Sequence, residues 1–106
     1  MRVELLYRDG DARVMEVRQR LVEVLTEDAF ETAIQLVAVS TDEDAELLGM
    51  HGSPTIRIDG ADIDPEGAGT ASLADRRYAG EALPAKALIR RAVERARGWG
   101  HGRIRA

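Results

Sequence analysis

The chain has 106 residues and a mass of 11.6 kDa, the size of one domain. Apolar residues make up 44% and charged residues 32%, which excludes a disordered chain, and no apolar run reaches the roughly 20 residues that span a bilayer. Cysteine is absent, which excludes disulfides, zinc–thiolate sites, iron–sulfur clusters and thiol nucleophiles within this chain.

Charge is unevenly spread. Residues 1–75 carry 6 basic and 17 acidic side chains, whereas residues 76–106 carry 9 basic and 2 acidic ones. A basic third of this kind can mark a nucleic-acid surface. Here Arg90, Arg91, Arg95 and Arg97 fall late in an expected helix, where cations suit the negative end of the dipole, and no aromatic residues interleave for base stacking. Attraction between the two halves, within one chain or between copies, is the expectation, with no nucleic-acid and no membrane partner. The start, Met1-Arg2-Val3-Glu4, lacks the apolar core of a signal peptide, so a cytoplasmic location is expected.

Val3-Glu4-Leu5-Leu6-Tyr7 is a short apolar run closed by Arg8-Asp9-Gly10-Asp11, the pattern of a buried strand and a turn. A helix follows, capped by Asp9 or Asp11, with Val14, Val17, Leu21, Val24 and Leu25 at helical spacing. Residues 34–39 are nearly all apolar and read as a strand covered on both faces of a parallel sheet. Strand, helix and strand in this order form a right-handed βαβ unit. Ser40 or Thr41 then caps a short acidic helix over residues 42–48, which Gly49 stops.

His51-Gly52-Ser53-Pro54 reads as a turn into the alternating strand Thr55-Ile56-Arg57-Ile58, which ends at Asp59-Gly60. Residues 59–71 form a polar loop, and residues 73–78 are expected to return as an antiparallel strand. Pro84 opens the last helix, whose apolar stripe is Ala85, Leu88, Ile89, Ala92, Val93 and Ala96. The domain spans residues 1–97, and residues 98–106 are expected to form a flexible tail.

Three features carry a family resemblance: a first strand ending in Leu6-Tyr7-x-x-Gly10, the segment Gly52-Ser53-Pro54-Thr55-Ile56-x-Ile58-Asp59-Gly60, and a terminal amphipathic helix. On these the chain resembles small bacterial thioredoxin-like proteins, some of them related to alkylmercury lyase, over most of residues 2–95. The resemblance implies an α/β fold, a βαβα–ββα three-layer sandwich with a mixed four-stranded sheet and a cis-proline, Pro54, before the third strand. It also implies that the Ser53 backbone is left unpaired and faces the start of the first helix, ready for an extended peptide.

The departure from the family is chemical. The relatives' redox cysteine, just after the glycine that closes the first strand, corresponds to Asp11, and their later cysteine, in the fourth strand, corresponds to Asp75. Thiol–disulfide exchange needs a thiolate that attacks sulfur, so that activity is excluded here.

Asp11 at a helix start would be stabilised as a carboxylate, which makes it a weak base and a good cap. Asp75 sits beside Arg76 and Arg77 in sequence and would pair with Arg13 if the sheet brings them together. Asp11, Asp75 and Tyr7 are the catalytic candidates for a lyase, isomerase or hydrolase. Tyr7 with Ser53 also resembles the tyrosine and the pre-proline residue of glutathione transferases, although residues 1–106 hold no helical second domain or γ-glutamyl-binding pair. Asp62-x-Asp64-x-Glu66-Gly67 starts like a calcium loop, but position 12 is Leu73 and Pro65 stiffens it, so a solvated acidic loop is expected. His51 and His101 are too few and too far apart for zinc, and no metal or cofactor is expected.

The expected function is therefore binding without redox chemistry. The expected groove is formed by Gly10, Asp11, Arg13, Gly52, Ser53, Pro54, Thr55 and Tyr78, with Arg76 and Arg77 at its edge. Its partner would be a protein segment or a second copy, with a small molecule as the alternative.

Overall fold

The computed structural model describes residues 1–27 and 33–98. The elements in order are β1 (Val3–Arg8), α1 (Val14–Glu27), β2 (Ile34–Val39), α2 (Asp42–Leu48), β3 (His51–Ser53), β4 (Thr55–Ile58), β5 (Ala61–Asp62), a 3₁₀ turn (Pro65–Gly67), β6 (Ser72–Asp75) and α3 (Lys86–Ala96). Four strands form a mixed sheet in the order β2-β1-β4-β5, in which β1 runs parallel to β2 and antiparallel to β4. β3 and β6 form a separate two-stranded parallel sheet.

The alternation of β1 divides the core. Val3 and Leu5 are fully buried in a cluster with Val17, Leu21 and Val24 of α1, Ile56 and Ile58 of β4, and Ile89 and Val93 of α3. Leu6 points the other way and packs with Val39, Ala45 of α2 and Met50. Successive strand side chains point to opposite faces, so one strand serves both clusters. α1 meets α3 through Arg20, whose Nη1 donates to the Pro84 carbonyl at 2.8 Å, and through the pairs Lys86–Glu23 at 2.5 Å and Arg90–Glu27 at 3.0 Å. These pairs join the acidic and the basic parts of the chain.

Thr41 caps α2, its side chain accepting from the Asp44 N–H at 3.0 Å, and Gly49 closes the helix in the left-handed region. The β4–β5 hairpin turns through Asp59 and Gly60, with φ of 52° and 84°. Positive φ at both central residues matches the twist of paired strands, which is why Asp-Gly stands there.

Four sequence expectations are corrected. β2 is not covered on both faces. It is an edge strand, and Leu36 is 42% exposed, because a continuous apolar run does not distinguish a central from an edge position. His51 to Ser53 is a strand and not simply a turn. The return strand over residues 73–78 is replaced by β6, which runs parallel to β3, and the fourth strand of the main sheet is instead Ala61–Asp62, paired directly through the hairpin. Pro84 precedes α3, which begins at Lys86 after Ala85 with no side-chain cap. Of the two expected caps of the first helix, Asp11 lies three residues ahead of α1, and its carboxylate accepts from the Arg13 N–H at 3.0 Å as a cap does. Apart from Gly98, the expected tail, with His101, lies outside the described residues.

Candidate functional site

The turn after β1 brings Arg8, Gly10, Asp11 and Arg13 against the Ser53–Pro54 segment. Gly10 takes a φ of 85°, which allows the chain to reverse and the Asp11 N–H to bond the Arg8 carbonyl at 3.0 Å. The Asp11 side chain is 2% exposed. Its Oδ1 accepts from Arg13 Nε at 3.1 Å, and its Oδ2 accepts from Arg13 Nη2 at 3.0 Å and from the Ser53 hydroxyl at 2.7 Å.

Burial alone would push the Asp11 carboxyl up. The hydrogen bonds from the Arg13 side chain and backbone and from Ser53, with the Arg13 charge, outweigh it and hold the carboxyl well below the usual carboxylate range. The same bond to Asp11, against burial, raises the Arg13 guanidinium further. Asp11 is thus a firmly ionised carboxylate and a weak base.

Arg13 ties several elements together. Its Nη2 also donates to the Ser53 carbonyl at 2.6 Å and to Asp75 Oδ1 at 3.3 Å, and its Nη1 donates to the Arg76 carbonyl at 3.1 Å. Arg8 joins from the strand end: its N–H donates to Ser53 Oγ at 2.8 Å, and its guanidinium donates to the Leu73 carbonyl and to Asp75 Oδ1, both at 2.9 Å. Two guanidinium groups therefore converge on Asp75, whose side chain is 63% exposed.

The expected unpaired Ser53 backbone is corrected here. Ser53 pairs with Asp75 between β3 and β6, and its carbonyl also accepts from the Arg76 N–H at 2.9 Å. The place expected to receive a peptide holds the Arg13 side chain instead. Gly52 has a φ of 92°, and a Cβ there would stand 3.0 Å from Arg76 Cβ and 3.2 Å from the Ala74 carbonyl, so any other residue would be strained and would push β3 and β6 apart by a few tenths of an ångström. The Ser53–Pro54 peptide bond is cis. Thr55 is buried and its hydroxyl donates to the Gly52 carbonyl at 2.6 Å.

Arg76 and Tyr78 were expected at a surface edge and are instead buried, leaving Arg77 exposed. The Arg76 guanidinium forms two bonds with Asp62, at 2.7 and 2.8 Å, and one with the Asp64 carbonyl at 2.8 Å. It lies 4.7 Å from the centre of the Tyr78 ring. The Tyr78 hydroxyl donates to the Pro54 carbonyl at 2.6 Å, and burial, which outweighs the nearby Arg76 charge, pushes its ionisation up so that the proton stays. The acidic loop is used structurally: Asp62 holds Arg76, and Asp64 accepts from the Gly67 N–H at 3.2 Å in the 3₁₀ turn. Among the described residues no acid or histidine cluster is arranged to hold a metal. Nδ1 of His51 lies 2.9 Å from the Gly69 carbonyl.

Of the three catalytic candidates, Asp11 and Asp75 are brought together through Arg13, while Tyr7 packs against the α1–α3 core. Sequence reading anticipated the Arg13–Asp75 contact and missed Arg8 and the buried Arg76. Their only signal was the arginines flanking the two aspartates, and charge adjacency along a chain does not tell which arginine turns inward. A hollow of about 750 Å³ lies elsewhere, between the β4–β5 hairpin, the 3₁₀ turn and α3, with Asp59 and Glu66 on one wall and Arg91 and Arg95 on the other. No described helix is long and apolar enough to cross a membrane. No protein-family model, curated protein or solved structure matches the chain.

Proposed function

We propose that this chain is a non-redox domain of thioredoxin-like, three-layer fold that works by binding a protein partner at the face formed by the β1–α1 turn, the Ser53–Pro54 turn and Asp75. The sheet order, the parallel β1–β2 pair, the antiparallel β4–β5 hairpin and the cores on the two faces of β1 support the fold reading. The absence of cysteine supports the loss of redox chemistry. A setting in the cytoplasm belongs to the same proposal.

One observation carries the binding reading. Arg8 and Arg13 both direct a guanidinium nitrogen to the exposed carboxylate of Asp75, at 2.9 and 3.3 Å, while other bonds anchor them to the Leu73 and Ser53 carbonyls. Two held cations that share one exposed anion form a receptor for a carboxylate. An acidic peptide segment would replace Asp75 without disturbing the Asp11–Arg13 pair. The acid–base and glutathione readings have less support. Asp11 is a weak base, and Ser53 is fully buried with its hydroxyl and carbonyl already bonded.

The test is titration of the isotopically labelled chain with a short Glu/Asp-rich peptide. The amides of Arg8, Gly10, Arg13 and Asp75 should shift, and the affinity should fall as salt rises. Asp75→Ala, at an exposed position, should tighten binding several-fold by freeing both arginines. Shifts absent from both the native chain and Asp75→Ala would overturn the reading.

A further inference from the structure

The outer strand β2 reads Ile34-Gln35-Leu36-Val37-Ala38-Val39, with no charge and no proline. It is an edge of the sheet, and its six residues pair in an unbroken register with β1. Edge strands in monomeric proteins are shortened, bulged, charged or covered, because free N–H and C=O groups in a row recruit another strand. The opposite edge, β5, follows that rule by being two residues long. β2 follows none of it among the described residues, and Gln35, Leu36 and Ala38 are exposed.

The neighbouring surface of α1 adds two apolar residues and one charge. On α1, Arg20, Glu23 and Glu27 form the flank that meets α3. At 3.6 residues per turn, Met15, Arg18 and Val22 lie on the opposite flank, toward β2, and Met15 is 63% exposed.

We infer that two copies of this chain associate through β2, edge to edge and antiparallel, joining their four-stranded sheets into one. A second copy is the occupant that fits. The chain is net acidic at −4, and the uncharged β2 edge is a place where two like copies meet with no charge on the strand to oppose them. The edge is also self-complementary. A two-fold axis perpendicular to the sheet keeps like faces together, so opposed residues share parity: Leu36 meets either Leu36 or Ala38 of the other copy, and each such pair is apolar. The contact uses none of Asp11, Asp75 or Ser53, so it stands independently of the acidic-partner reading.

The test is sedimentation velocity of the full chain from low to high micromolar concentration. The native protein should approach twice the 11.6 kDa chain mass as concentration rises. Leu36→Lys sets like charges against each other, or beside each other, in both registers, and should raise the dissociation constant at least about tenfold. Ala38→Glu is a second variant in case the first does not fold, and circular dichroism establishes that each is folded. Hydrogen exchange at the amides of residues 34–39 should slow as concentration rises. A native chain that stays monomeric throughout overturns the inference. So does a dimer that neither folded variant weakens, or β2 protection that does not depend on concentration, as it would if another segment of the same chain covered the edge.

Discussion

Asp11 occupies a place where a carboxylate is held by two guanidinium nitrogens, a backbone N–H and a serine hydroxyl, at 2.7 to 3.1 Å. Replacing it with asparagine leaves Arg13 without its counter-ion while the site stays buried. Asp11→Asn should destabilise the fold by about 2 kcal/mol at pH 7, less than for a fully buried pair because Arg13 is one-fifth exposed. The pH dependence follows in sign. Folding lowers the Asp11 pKa below its unfolded value of about 3.9, so on acidification the unfolded chain takes the proton first. The contribution is complete above about pH 5 and is lost as pH falls through the depressed folded value. Chemical denaturation of both proteins from pH 7 to pH 2 should show the difference between them shrinking below pH 4. Asp11 as an ionised cap-like residue was legible in the sequence, since an aspartate before a helix has a local reason to ionise. Arg76 as a buried cation was not, because its partner Asp62 is chosen by the fold of the intervening loop.

At the scale of elements, β3 and β6 depend on one glycine. Gly52→Ala places a methyl group 3.0 Å from Arg76 Cβ and 3.2 Å from the Ala74 carbonyl at a φ of 92°. It should cost roughly 2 kcal/mol or more, combining left-handed strain with a clash against backbone. Thermal unfolding checks this, and Gly10→Ala is the control: its φ is also positive, but a Cβ there meets nothing within 4 Å, so it should cost about 1 kcal/mol. Elements built on local pattern were readable. α1 has its apolar stripe, α2 its Thr41 and Gly49 caps, and β4 its alternation. β6 was misread because strand direction is a property of a pair, and its partner is three residues long and lies about twenty positions earlier.

Across the whole molecule, β1 is the shared wall of two cores of unequal size. Native-state hydrogen exchange should therefore rank the structure: slowest at Val3 to Leu6 and at the buried face of α1, and faster at α2, which contributes only Ala45 to the smaller cluster. Equal protection across β1 and α2 would contradict this division. The charge asymmetry also resolves at this scale, since part of the basic C-terminal excess is matched across α1 and α3 by Glu23 and Glu27.

Sequence by itself determined that no thiol chemistry is possible, where the main helices and the central strand lie, and that an aspartate stands at the start of α1. Those are matters of composition and of periods a few residues long. Only the tertiary structure decided that Arg13 lies across the Ser53 carbonyl, that Arg76 is buried and Asp75 is not, and that β2 is left at an edge. Each of these depends on which distant polar group or strand satisfies a buried hydrogen-bonding atom, and that choice is made by the packing of the whole chain.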